Sequence, residues 1–209
     1  MDKNSSLNET IGAVLFSGFE LLDLFGPLEA FGKLAEAGKC RIVTVAESEG
    51  PVASAQGPLA VADYDFERCP PLEMLLVPGG IGTRREIENQ PLLEFIRSRA
   101  AKAQIVMSVC TGAGLLARAG VLDEKRATTN KRSFAWPVSQ GPRVNWVREA
   151  RWVEDGKFVT SSGISAGIDM ALAVIARRYG NETAQEVALA MEYEWHRDPG
   201  WDPFAKVYD

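Results

Sequence analysis

A chain of 209 residues, 46% of them hydrophobic, is long enough to fold as one domain around its own core. With 28 acidic against 23 basic residues and a formal charge of −5, it offers a polyanion nothing to hold. Nucleic acid and acidic membrane surfaces are therefore not expected as partners, and a small-molecule substrate is. Three scattered cysteines, Cys40, Cys69 and Cys110, fit free thiols in a reducing compartment, and a single histidine, His196, without Cys-x-x-Cys or His-x-x-x-His spacing, predicts no metal site.

Residues 1–10 read as a flexible N-terminus lacking the apolar core of a signal peptide. No later apolar run approaches the roughly 20 residues of a membrane span, so a cytoplasmic protein is expected. Ile11 to Phe16 is a short apolar run of the kind buried on both faces of a parallel sheet, and similar runs recur at 40–46, 73–77 and 104–109. Helical periodicity fills 20–37, with a break or kink expected near Gly26-Pro27, and 84–101, with Leu92, Leu93, Ile96 and Ala100 on one face. The alternation predicts an α/β, doubly wound, mostly parallel sheet of flavodoxin-like type with helices on both faces. Segments 52–62 and 151–160, the latter around Asp155-Gly156, predict small antiparallel additions.

Two late helices follow, one burying Ile168, Leu172, Ile175, Ala176 and Tyr179, the other Ala184, Val187, Ala188 and Met191. Residues 11–194 thus form one expected domain. The segment 195–209, with Trp195, Pro199, Trp201, Pro203 and Phe204, is too aromatic for a free tail and is expected to dock on the domain or on a partner subunit. Neither G-x-G-x-x-G nor G-x-x-x-x-G-K-[ST] occurs, so neither NAD nor ATP, nor any other cofactor, is expected.

Chemistry concentrates at 104–120: a buried strand, a sharp turn at Cys110-Thr111-Gly112, and a helix through Leu115 and Leu116 that stops at Gly120. A side chain on such a turn stands at the carboxyl end of the sheet, and a helix N-terminus favours a thiolate there, making Cys110 the candidate nucleophile. The plainer alternative is a buried core thiol, which Cys40 and Cys69 fit better. Gly79 and Gly80 end another strand, where an inward N–H of Gly80 together with that of Thr111 would form an anion hole; an ordinary turn is the alternative. Asp23, flanked by Leu22, Leu24 and Phe25, is either a buried carboxyl with a raised pKa or a solvated capping group. Phe19, Phe25, Trp136 and Trp146 fit pocket walls, an interface or simple core packing.

Five ordered motifs carry a resemblance: Leu-Asp-Leu-Phe-Gly-Pro at 22–27, Val-Pro-Gly-Gly at 77–80, Ser-Val-Cys-Thr-Gly-Ala at 108–113, Arg-Ala-Thr-Thr at 126–129 and Gly-Ile-Ser-Ala-Gly-Ile-Asp at 163–169. From about Ile11 to Tyr193 the chain resembles the DJ-1/PfpI (ThiJ) superfamily, and the aspartate at position 23 resembles the isocyanide hydratase branch within it. The resemblance implies a homodimer, an acidic residue, Asp23, touching the sulfur of Cys110, anion-stabilising amides at Gly80 and Thr111, and Ile164 in the loop lining the pocket. It implies an isocyanide hydratase-like lyase, with a glyoxalase or deglycase acting on small aldehydes and a redox or ligand sensor as the other readings. Thr128 to Lys131 departs from the Thr-Thr-His-Trp of that branch, placing Asn130 in the pocket where an imidazole would stand. The tail departs too, and no helix-turn-helix extension is expected in this chain.

Overall fold

The computed structural model of the chain describes residues 9–208. β1 (Glu9–Val14) starts two positions ahead of the apolar run, because Glu9 and Thr10 continue the parallel register opposite Cys40 and Arg41. The rest of the expected flexible N-terminus lies outside the described residues. The elements that follow are α1 (Leu21–Glu36), β2 (Cys40–Ala46), β3 (Gly50–Ala53), β4 (Leu59–Ala62), β5 (Tyr64–Asp65), β6 (Met74–Val77), α2 (Thr83–Glu86), α3 (Gln90–Lys102), β7 (Ile105–Val109) and α4 (Gly112–Arg118). Then come β8 (Arg126–Ala127), α5 (Ala135–Gln140), β9 (Asn145–Trp146), β10 (Trp152–Asp155), β11 (Phe158–Ser161), α6 (Ala166–Tyr179) and α7 (Asn181–Ala190).

The main sheet has the order β10-β11-β7-β6-β1-β2-β5 and is parallel except for the β10–β11 edge pair. From β1 the chain crosses through α1 to β2 on one side, whereas from β6 it crosses through α2 and α3 to β7 on the other. Right-handed crossovers in opposite directions put helices on opposite faces and leave a crevice between the carboxyl ends of β1 and β6. The expected antiparallel additions are present as the separate β3–β4 hairpin and as β10–β11, where Gly156 takes the positive φ of 61° that the tight turn requires.

Two expectations are corrected. α1 is not broken at Gly26-Pro27 but runs through Pro27, because its buried face of Asp23, Leu24, Pro27, Ala30, Phe31 and Leu34 is held against the core. Packing there outweighs the roughly 3 kcal/mol that an interior proline costs a helix. The pattern at 84–101 is two helices, because the side chain of Asn89 accepts from the Leu92 amide and Pro91 lies in the first turn of α3, a start signal in the middle of the apolar periodicity.

The segment after α7 folds back along the domain. Pro199 carbonyl accepts from the amides of Arg151 and Trp152, and the Asp202 amide donates to Glu149 carbonyl. Asp169 on α6, fully buried, ties this segment to the sheet: its Oδ2 accepts from Nε and Nη2 of Arg151 at 2.7 and 2.6 Å, and its Oδ1 from the Tyr193 hydroxyl and the His196 amide at 3.1 and 2.9 Å. A second anchor is Lys131, whose buried ammonium donates to Thr128 Oγ1 and Ala150 carbonyl at 2.7 and 2.6 Å and faces Asp202 Oδ2 at 3.8 Å. Burial pushes the Lys131 ammonium down to about 8, with Asp202 pulling it back up.

Asp169→Ala strands the Arg151 guanidinium in the interior, so a loss of about 3–5 kcal/mol in urea denaturation is expected, with Asp169→Asn losing less. For Lys131 the folded pKa is depressed below the ordinary value of about 10.4, so between about pH 8 and 10 the unfolded chain holds the extra proton and stability rises with pH. Wild type should therefore gain on the order of 2 kcal/mol relative to Lys131→Met between pH 7 and pH 10. Urea midpoints of the two proteins, compared at each pH, read this directly; an unchanged difference contradicts it.

Candidate active site

Three strands deliver the candidate groups to one crevice. Asp23 enters from the first turn of α1 after β1, Gly79 and Gly80 follow β6, and Cys110 follows β7. Cys110 has a φ of 56°, the left-handed region, which lets the chain turn from β7 into α4 within a residue or two. Its backbone is held on both sides: the amide points at the carbonyls of Ser161 and Ser162 at 3.2 and 3.3 Å, and its carbonyl accepts from the Thr129 hydroxyl at 2.7 Å. The arrangement needs glycine nearby. A Cβ on Gly112 would lie 2.3 Å from Val77 carbonyl, and one on Gly163 would lie 2.9 Å from the Cys110 sulfur.

Asp23 is fully buried and Cys110 is 6% exposed. Asp23 Oδ2 accepts from the Gly79 amide at 3.0 Å, and the buried Oδ1 has no hydrogen-bond partner, leaving the carboxyl free to interact with the neighbouring Cys110 thiol. Burial, and secondarily the charge of Glu20, pushes the Asp23 carboxyl well above the usual carboxylate range, against the pull of the Gly79 amide and the thiol. Burial and the neighbouring Asp23 likewise push the Cys110 thiol up, and the adjacent amide and hydroxyl of Thr111 work the other way. The balance differs from the resting thiolate expected at a helix N-terminus. Desolvation outweighs the α4 amides, so burial favours the neutral form of each partner.

Gly79 holds Asp23 through its amide, whereas the Gly80 amide, expected to point at an anion, donates to Thr111 Oγ1 at 3.0 Å. Thr111 is close to the sulfur, and its hydroxyl also meets Thr83 Oγ1 at 3.2 Å. Asn130 accepts from the Ser133 amide through Oδ1 and turns its Nδ2 toward Gly163, where a Cβ would lie 2.2 Å away. Ile164, 40% exposed, follows at the opening. His196 is elsewhere: it stacks against Trp201 with ring centroids 5.3 Å apart, in a cleft of about 450 Å³ that includes neither Cys110 nor Asp23. A cleft of about 770 Å³ lined by Phe16, Glu47, Glu49, Arg85, Glu86 and Asn89 also excludes Cys110.

Sequence reading missed Arg84, Thr83 and Gly163. Gly163 sits within a quoted motif, but nothing in the sequence says that its α-carbon abuts the sulfur. Arg84 reads as one of two solvated helix charges; only the fold reveals that it lies over the Trp136 ring at 4.2 Å and beside the Thr83–Thr111 bridge. No trio of His, Cys, Asp or Glu side chains among the described residues has the spacing to hold a metal ion, and no helix there is long and apolar enough to cross a membrane.

Comparison with known proteins agrees with the geometry. Over 185 residues the chain is 39% identical to the isonitrile hydratase of Pseudomonas putida, covering 88% of this chain and 78% of that one. It is 28% identical to the HTH-type transcriptional regulator GbdR of Pseudomonas aeruginosa over 189 residues, which are 89% of this chain and about half, 51%, of the regulator. The crystal structure of a ThiJ/PfpI family protein from Pseudomonas syringae superposes with a TM-score of 0.80 at 32% identity, covering 90% of this chain and 76% of that one. Residues 10–177 match the DJ-1/PfpI family, and the chain belongs to it.

Proposed function

We propose that the protein is an isocyanide hydratase-like lyase that converts isocyanides to N-formamides through a thioimidate on Cys110. One observation carries this reading: a buried carboxyl and a buried thiol close enough to shift each other's protonation, with Asn130 rather than an imidazole beside them. Addition of a thiol to a terminal isocyanide carbon forms one C–S and one C–H bond, so it requires a sulfur nucleophile and one proton. The pair holds both.

In the first step the Cys110 sulfur forms a bond to the isocyanide carbon while its proton, passing by way of Asp23, ends on the same carbon, giving Cys110–S–CH=N–R. Water then adds across C=N: its oxygen bonds to carbon, one proton goes to nitrogen and Asp23 assists as base and acid. The C–S bond breaks as C=O forms, the remaining hydroxyl proton returns to the Asp23–Cys110 pair, and H–CO–NH–R leaves. The amides of Thr111 and Gly80 are suited to hold polar atoms of the intermediate; for Gly80 this requires the Thr111 hydroxyl to give way. The 39% identity to the Pseudomonas putida isonitrile hydratase supports the assignment.

The competing readings fit less well. Aldehyde chemistry that relies on an imidazole base has only Asn130 at that position, and an amide side chain does not shuttle protons at neutral pH. A peroxide sensor needs an exposed, acidic thiol, whereas this one is buried and held in its neutral form.

Purified protein given an aryl isocyanide should release the formamide, followed by chromatography. Cys110→Ala should abolish turnover, and Asp23→Asn should lower it by at least about 100-fold while Cys110 remains alkylatable. No formamide from reduced wild type across alkyl and aryl isocyanides defeats the proposal. A homodimer belongs to the same reading: Leu22 and Phe25 on α1 are 42% and 46% exposed, and together with Ile164 they leave an apolar rim beside the crevice that a second copy would cover. Sedimentation should give the mass of two chains, and Phe25→Asp should shift it toward one.

A further inference from the structure

The guanidinium of Arg84 is half-buried, yet among the described residues it forms no ion pair. Its neighbour Arg85, by contrast, is paired with Glu86. Arg84 is held by neutral groups: its Nη1 donates to Thr83 Oγ1 at 3.1 Å and to Gly80 carbonyl at 3.4 Å, and its plane lies over the Trp136 ring, 4.2 Å from the centroid. Trp136 is itself fixed against α4, where a Cβ on Gly114 would lie 2.9 Å from its ring. Gly80 and Thr83 belong to the loop and short helix after β6 that face the Cys110 turn, and Trp136 comes from α5. Thr83 Oγ1 lies 3.2 Å from Thr111 Oγ1, and Thr111 is the residue next to Cys110 and acts on its sulfur.

An arginine retains its charge under all ordinary conditions, and taking it partly out of water without a counter-ion is costly unless an anion arrives. Burial lowers the pKa of Arg84, and a negative charge on Cys110 would raise it, so the two side chains are close enough to sense each other. Nη1 is committed to the loop, while among the described residues Nε and Nη2 have no protein acceptor and form the edge suited to a carboxylate. Glu20, which contributes to the field at Asp23, is itself engaged: its Oε1 accepts from Gln56 Nε2 at 2.6 Å.

We propose that Arg84 is the specificity-determining residue of the Cys110 site and that the site takes substrates bearing a carboxylate or a similar anionic group, held by the Arg84 guanidinium on its Trp136 shelf. Naming the substrate as an anionic isocyanide rests on the hydratase reading above; recognition of the anion does not.

The test therefore uses two chemistries. In the first, Cys110 is alkylated at one fixed pH with iodoacetate or with iodoacetamide, reagents of like size that differ in charge, and the Cys110 peptide is quantified by mass spectrometry. The ratio of iodoacetate to iodoacetamide rates should fall about tenfold in Arg84→Met relative to wild type, and Arg84→Lys should recover part of it. In the second, 4-isocyanobenzoate is compared with phenyl isocyanide: Arg84→Met should raise KM for the first by at least about tenfold and change the second by less than threefold. An unchanged alkylation ratio overturns the proposal, as does an equal slowing of both reagents, which would mean that Arg84 acts on the thiol itself. A fallen ratio without turnover of either isocyanide upholds anion recognition and defeats the hydratase reading.

Discussion

The left-handed backbone of Cys110 is the constraint from which the rest of the site follows. A non-glycine residue at φ 56° costs on the order of 1 kcal/mol or more, and the surrounding structure must hold it there. Two elements do so. The β11 end supplies the carbonyls of Ser161 and Ser162 to the Cys110 amide, and Thr129 supplies a hydroxyl to its carbonyl. Because β11 lies beside β7 in register, with Ser161 opposite Val109, the next residue on each strand meets at the turn. The edge hairpin β10–β11 is thus part of the device that aims the sulfur, and the Asp169–Arg151 pair that anchors the tail to this edge supports it from behind.

Once the sulfur is aimed, the close approach of three backbones decides its electrostatics. Gly79, Gly112 and Gly163 all sit where a Cβ would strike the turn, its neighbours or the sulfur, so the crevice closes almost completely around Cys110 and Asp23. Both groups are thereby largely desolvated and pushed toward their neutral forms, which outweighs the pull of Thr111. A histidine in place of Asn130 would separate the charge as an imidazolium and a thiolate. Here the proton has only Asp23 to go to, and a thiol and acid sharing protons suit an addition that must place both sulfur and hydrogen on one carbon.

The sequence made much of this legible. Buried parallel strands announce themselves as short apolar runs, and Thr-Gly directly after a cysteine at the end of one marks the turn. Asp23 was ambiguous from its neighbours alone, because Leu22 and Phe25 prove exposed while Leu24 is buried, and only the family pattern separated a site carboxyl from a capping one. What stayed hidden has physical causes. The α2–α3 break lay within continuous apolar periodicity, and the small β8–β9 pair is too short to have a period. The commitment of the Gly80 amide to Thr111 depends on a side-chain rotamer rather than on residue type.

Lys131 and Arg84 show the same limit from opposite sides. Both are cations that a sequence reader assigns to solvent. Lys131 is instead enclosed by Thr128, Ala150 and Asp202, and its position next to Asn130 means that the tail and the pocket wall are held by adjacent residues. A buried ammonium at 131 calls for a buried carboxylate, and Asp202 in the tail supplies it at 3.8 Å. Arg84, by contrast, has no such carboxylate among the described residues. Arg99 and Lys157 are also half-buried without a carboxylate, but main-chain carbonyls take up their donors. Arg84 differs in that only its Nη1 is so engaged, which under the proposal leaves the rest of its guanidinium for a charge arriving with the substrate.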